Sequence, residues 1–280
     1  MLKSTFCHLP GVGAATEEKL WKAGIVEWSD IIEGRSAPVS VKKLMAMQKG
    51  CADSLRHLEN GDVEWFGKNL PAAVQWRMFP YFMDKAAYID IETTGTNFDY
   101  CEITTIALWT GSEIKTYING RNLDDFAADI AEFPLLVSFN GKCFDIPFIE
   151  KFFGIRINAA HIDLRFVFRA LGITGGLKGI EKHFGINRGD AEGLDGFFAV
   201  LLWNEYEKYA DEKALETLLA YNVMDSVNLE NLMVRAYNLH IKGPCCRELD
   251  PLEQRAVPEN PYKAHRDVVD KILSRHNGGF

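Results

Sequence analysis

The segment Tyr88-Ile89-Asp90-Ile91-Glu92-Thr93-Thr94-Gly95 sets two carboxylates into an apolar run. The stretch Ala86–Ile91 reads as a buried strand. In a strand, residues two apart share a face, so Asp90 and Glu92 point the same way. Two like charges at the end of a strand in mid-sheet are costly unless a cation or a proton offsets them. An isolated Asp-x-Glu pair also fits a strand end whose side chains reach water, so the rest of the chain must decide.

The residues that follow predict a sheet. Ile103–Trp109 and Glu113–Ile118 read as strands joined by a short Thr-Gly-Ser turn, which implies antiparallel neighbours. Leu123–Glu132 reads as a helix, Leu135–Phe139 as a short apolar strand and Ile146–Phe153 as a second helix. A helix crossing between Glu113–Ile118 and Leu135–Phe139 makes the latter strand parallel within the same sheet. From Glu212 to His240, Leu215, Leu218, Leu219, Met224, Val227, Leu232, Met233 and Leu239 recur at three- and four-residue spacing and predict one long helix.

Two further carboxylates fall on these elements. In Ser138-Phe139-Asn140-Gly141-Lys142-Cys143-Phe144-Asp145, a strand ends, a turn follows and Asp145 stands near a helix N-terminus, where it is also an ordinary capping residue. In Tyr221-Asn222-Val223-Met224-Asp225, the phenol and the carboxylate are four apart and share a helix face. Each motif alone has a plain structural reading. All three occur in one order, on a first strand, after a later strand and on a late helix.

That conjunction resembles the DEDD exonuclease superfamily in its tyrosine-bearing branch, over roughly residues 85–240. Similarity to a bacterial subgroup of ribonuclease H-like exonucleases extends to His161-Ile162-Asp163-Leu164, to Gly175-Gly176-Leu177-Lys178-Gly179-Ile180-Glu181 and to the segment from Asp195-Gly196 through Trp203. The resemblance implies an α/β fold, a ribonuclease H-like mixed five-stranded sheet flanked by helices. It also implies 3′→5′ exonuclease action on a DNA or RNA 3′ end with two divalent ions, Mg²⁺ or Mn²⁺. Asp90 would bridge both ions, Glu92 and Asp225 would complete the site of the attacking water, and Asp145 would support the second ion. Tyr221 would orient the water, since a free phenol with a pKa of about 10 is a poor base. The histidine branch carries its base five residues before the last Asp, where this chain has Ala220. Thr93, Thr94 and Gly95 would lie against the terminal nucleotide. Asn140 either hydrogen-bonds substrate or fixes its loop. Asp163 is either a residue behind the ligands or a strand-end cap, and Lys178 reads as a surface lysine with phosphate contact as the alternative. A structure-selective endonuclease on the same fold and a non-catalytic nucleic-acid-binding module are the other readings.

Residues 1–80 read as a small all-α domain, 81–243 as the exonuclease domain and 244–280 as a tail with a helix near Lys263–Arg275. Leu9-Pro10-Gly11-Val12-Gly13, ahead of a helix over Ala14–Ala23, resembles the hairpin of a helix-hairpin-helix element. There, backbone N–H groups around Gly11 and Gly13 would face a phosphate. Glu17 and Glu18 in the first turn suit the helix dipole but not an incoming phosphate. Trp21, Trp28, Trp65 and Trp76 read as core, with base stacking as the alternative.

Composition sets bounds on these readings. The chain has 280 residues, 47% hydrophobic, enough for a buried core. A net charge of −8 argues against tight binding of nucleic acid by charge alone, though it leaves room for carboxylates neutralised by metal. No apolar run approaches the roughly 20 residues that span a bilayer, and no secretory h-region opens the chain, so a cytoplasmic protein is expected. Six cysteines lack zinc-type spacing and are expected reduced, with Cys101 and Cys143 in the core and Cys245-Cys246 a neutral vicinal pair.

Overall fold

In the computed structural model, residues 1–186, 196–243 and 249–277 are described. Asp195 and the Cys245-Cys246 pair lie outside them. Five strands, β1 (Ala86–Thr93), β2 (Ile103–Trp109), β3 (Ile114–Ile118), β4 (Leu135–Ser138) and β5 (Ala160–Asp163), form one sheet in the order β3-β2-β1-β4-β5. β1 runs antiparallel to β2, and β2 to β3; β4 is parallel to β1 and to β5. This is the mixed, helix-flanked sheet that the resemblance implies. β5, Ala160-His161-Ile162-Asp163, is the strand that local pattern did not reveal, because half of its four residues are polar and no apolar run marks it, unlike the equally short Leu135-Leu136-Val137-Ser138 of β4.

Alternation along β1 decides what its carboxylates face. Ala87, Ile89 and Ile91 pack with Phe126, Ile130, Phe148 and Ile149 on one side of the sheet. Ala86 and Tyr88 join a second core with Val223 and Val227 of the helix Glu212–His240. Asp90 and Glu92 continue that second face, beneath the long helix. β2 is buried along its whole length, so the sheet is covered on both faces there.

Several element bounds differ from expectation for visible reasons. The segment predicted as a helix over Leu123–Glu132 is a 3-10 turn, Leu123–Asp125, and a five-residue helix, Phe126–Ile130. Asn122 binds Ile118 N–H and the Thr116 carbonyl from the side, tightening the entry, and Pro134 lies just beyond the exit. The last helix begins at Arg266 rather than Lys263. The N–H groups of Lys263 and His265 donate instead to Glu216 and Thr217 of the long helix. Cys143, expected in the core, is exposed, because it sits in the turn between β4 and the helix Asp145–Phe153.

The N-terminal helices do not stand apart from the sheet. Leu2, Phe6, Leu20, Trp28 and Phe66 share one continuous core with Ala160, Ile162 and the long helix. Helix Val63–Asn69 reaches β5 through Gly67, where a Cβ would lie 2.5 Å from the Ala160 Cβ. Glu17 is buried; one oxygen accepts from the N–H groups of Phe6 (2.6 Å) and Cys7 (3.0 Å), and the other meets Arg77 at 2.9 Å. The indole N–H groups of Trp21 and Trp28 donate to the carbonyls of Ser4 and Thr5, so both serve the core. At the other end, the tail runs back along the long helix. Asn238 exchanges two hydrogen bonds with the Leu252 backbone and Asn231 two with that of Arg255. Among the described residues, no helix is long and apolar enough to cross a membrane.

Candidate active site

Asp90, Glu92 and Asp225 each offer a carboxylate oxygen, and these oxygens lie within 4.8 Å of one another. Local structure explains the convergence. The strand face supplies Asp90 and Glu92, and the β1–β2 register shifts between Glu92 and Thr93, ending regular pairing at Glu92. The long helix supplies Asp225, and its seat is keyed by polar side chains one turn apart. Ser226 Oγ donates to the Tyr88 carbonyl at 2.7 Å. Asn222 Nδ2 donates to Asp90 Oδ2 at 2.8 Å and to the Asp90 carbonyl at 3.1 Å. Its Oδ1 accepts from Thr105 Oγ1 at 3.0 Å, so one amide ties β1, β2 and the helix together.

The electrostatics are compatible with a bound cation. Burial, followed by the charges of Asp225, Glu92 and Asp145, holds the Asp90 carboxyl well above the usual range, against the Asn222 hydrogen bond. Burial also lifts Asp145 to about 7, with its own backbone N–H opposing and Asp163 and Asp225 adding to the rise. Such groups keep a proton or take a positive ion. Oxygen-only donors suit hard divalent ions such as Mg²⁺ or Mn²⁺.

Asp145 stands outside the three-carboxylate group, yet it is coupled by charge to both Asp90 and Asp225. It is the first residue of its helix and makes no side-chain cap, so the capping reading does not describe it. The turn that delivers it is held from β5. Asp163 accepts from the N–H groups of Asn140 (2.8 Å), Lys142 (3.0 Å) and Arg165 (3.0 Å). It therefore caps the helix Leu164–Ala170 and fixes the loop as well. Asn140 adopts a left-handed φ of 66°, and a Cβ on Gly141 would lie 2.2 Å from Ser138 Oγ. Ser138 Oγ in turn meets His161 Nε2 at 2.7 Å. Tyr221 is buried, and Lys178 Nζ lies 4.7 Å over its ring.

Residues 87–237 match the family model described as the RNase H superfamily. The chain belongs to that superfamily. No curated protein matches it. Among solved structures, the family B DNA polymerase from the hyperthermophilic archaeon Pyrobaculum calidifontis is similar in part, with 14% identity and a TM-score of 0.43. The match covers 58% of this chain and 26% of the polymerase, so the chain spans about a quarter of that protein.

Within this RNase H-superfamily core, the turn after β1 is occupied with its own contacts. Thr93 Oγ1 donates to the Gly95 carbonyl at 2.6 Å, and Thr94 Oγ1 accepts from Glu102 N–H at 2.9 Å. The space a side chain would need at Gly95 is taken by Cys101 Sγ, 2.8 Å from a Cβ built there. Asn140 Oδ1 accepts from Arg165, which favours loop fixing among its two readings. Gly11 and Gly13 are exposed at the head of the helix Ala14–Lys22, away from any side chain that a Cβ would meet. A three-residue 3-10 turn, Leu2–Ser4, precedes that hairpin, and Lys43 Nζ donates to the Gly11 carbonyl. Asn222 escaped the sequence reading. The only hint was its place between Tyr221 and Asp225.

Proposed function

We propose that this RNase H-superfamily chain is a metal-dependent nuclease, a 3′→5′ exonuclease of the tyrosine-bearing DEDD branch that hydrolyses phosphodiester bonds of DNA or RNA. The observation that carries the reading is the trio of half-buried Asp90 and buried Glu92 and Asp225, with candidate ligand oxygens within 4.8 Å of one another. Divalent ions bound there supply an acidified water and charge relief on the leaving oxygen. Asp90, Glu92 and Asp225 are the residues that would hold them, and Asp145, whose charge reaches Asp90 and Asp225, would support a second ion. Asn222 holds the Asp90 carboxylate in one orientation. Tyr221 Oη positions the attacking water by hydrogen bonding, with its ring packed under the Lys178 ammonium. That ammonium adds positive charge beside the scissile phosphate, a role the sequence alone ranked second to solvation.

The test compares wild-type protein with Asp90→Ala on 5′-labelled single- and double-stranded DNA and RNA, with Mg²⁺ or Mn²⁺. Expected are products shortened one nucleotide at a time from the 3′ end, and a loss of at least about a thousandfold in the variant, equivalent to about 4 kcal/mol of barrier. Full activity in the variant would overturn the metal-site reading. Internal fragments would instead favour an endonuclease, and binding without products a non-catalytic module.

A further inference from the structure

A groove of about 660 Å³ lies between the end of β4 and the helices Leu164–Ala170 and Leu177–His183. Its walls include Phe139, Asn140, Arg165, Arg169, Ile173 and Leu177. Among the described residues, the lining holds two arginines and no carboxylate, in a chain whose net charge is −8. Arg165 and Arg169 are one helical turn apart and both exposed, so their side chains emerge from the same face. Two lining residues are joined through the chain to the carboxylate site. Asn140 opens the turn that ends in Asp145, and Leu177 precedes the lysine that covers the Tyr221 ring.

We infer that this groove binds the single-stranded segment of nucleic acid that leads into the carboxylate site, with Arg165 and Arg169 on its phosphates and Phe139 and Ile173 against a base. This rests on the nuclease reading above. Guanidinium forks match phosphate oxygens bidentately, which a scattered lysine surface does not. A cationic groove with an apolar or aromatic wall is the arrangement that holds unpaired bases, because their faces are bare. In a duplex those faces are stacked, and only phosphates and base edges remain to be contacted. The charge pattern therefore resolves an apparent conflict: the chain as a whole repels a polyanion, while this groove offers one strand a path to the site.

The test is fluorescence anisotropy with labelled oligo(dT) and oligo(U) of about 12 nucleotides, within the usual span of single-strand sites, in Ca²⁺ to prevent turnover. Arg165→Ala/Arg169→Ala is expected to weaken binding by about tenfold or more. The slope of log affinity against log salt should flatten by about 0.7 for each phosphate that the variant no longer neutralises. Arg156→Ala, at an exposed arginine outside the groove, should bind as wild type does, and melting curves check that all variants fold. A double variant with unchanged affinity and salt slope would overturn the groove, as would wild-type protein that binds duplex as tightly as single strand. The two proposals separate cleanly. If wild type degrades the strand and the double variant still binds it normally, the groove falls and the nuclease stands. If the double variant loses binding but wild type releases no nucleotide with Mg²⁺ or Mn²⁺, the nuclease reading falls and the groove stands.

Discussion

Asp90 faces two other carboxylates and accepts a hydrogen bond from Asn222, whose own oxygen is fixed by Thr105. Truncating Asn222 to Ala leaves Thr105 and Asp90 short of a partner in a buried place, a cost of about 1–3 kcal/mol. A residue that orients a metal ligand from behind typically changes metal affinity or activity by about 10–100-fold. Asn222→Ala should therefore need more Mg²⁺ for half-maximal activity, and an unchanged metal titration would refute the role. Two histidines give a separate pH dependence. Burial, with Lys142 nearby, lowers His161 to about 3; burial, with Arg77 nearby, lowers His8 to about 4. Each meets a serine hydroxyl at 2.7 Å. The unfolded chain takes up these protons first as pH drops below about 6.5, so stability present above that pH is lost on the way down to about 4. The raised carboxyls of Asp90 and Asp145 act in the opposite sense, taking protons first in the folded chain, so the histidines are read by difference: between about pH 6.5 and 4 the wild-type melting temperature should drop relative to that of His8→Gln/His161→Gln, and parallel curves would refute it. At this scale the sequence was informative where periodicity is strict. Alternation put Asp90 and Glu92 on one face, and i,i+4 spacing put Tyr221 beside Asp225. Asn222 stayed hidden because the long helix is buried round most of its circumference, so no single face marked the polar residues that matter.

Among the elements, the contact of helix Val63–Asn69 with β5 turns on the absence of a side chain. In an exposed helix, Gly67→Ala would gain up to about 1 kcal/mol in propensity. Here the new Cβ would lie 2.5 Å from the Ala160 Cβ and 2.7 Å from its Cα, and the backbone there belongs to a paired strand. Overpacking of this kind costs about 1–3 kcal/mol, so the steric effect outweighs the propensity. Gly67→Ala should lower the midpoint of denaturant unfolding; a raised midpoint would show that the two elements can part without cost. The sequence disclosed the elements better than their contacts. The long helix and strands β1 to β4 followed from hydrophobic period. β5 and the shortened helix at Phe126–Ile130 did not, because side-chain bonds from Asn122 and pairing to β4 decided them.

Over the whole molecule, segments from outside the sheet close on the helix that bears Tyr221 and Asp225. Trp76 stacks on His240 at 4.5 Å and meets Tyr237 edge-on at 5.8 Å. The Glu17–Arg77 pair, buried on both sides, binds the first helix to the residue beside Trp76. Breaking one partner of such a pair typically costs about 3–5 kcal/mol. With one core running from Leu2 to Ile241, heating should give a single calorimetric transition, with van't Hoff and calorimetric enthalpies equal. Two resolved transitions would mean that the N-terminal helices melt by themselves. Sequence spacing could not reveal this unity, since Glu17 and Arg77 are brought together only by the finished fold.

The asparagine clasp between the tail and the long helix has a consequence in time. A ribosome adds about 5–20 residues each second. When His240 has just been added, the helix that carries Tyr221 and Asp225 is complete in sequence, but the backbone groups of Leu252 and Arg255 that Asn238 and Asn231 will grip do not yet exist. The helix is thus synthesised before its own latch, and the tail contacts can close only after the helix has met β1 and β2 through Asn222 and Ser226 or while it does so.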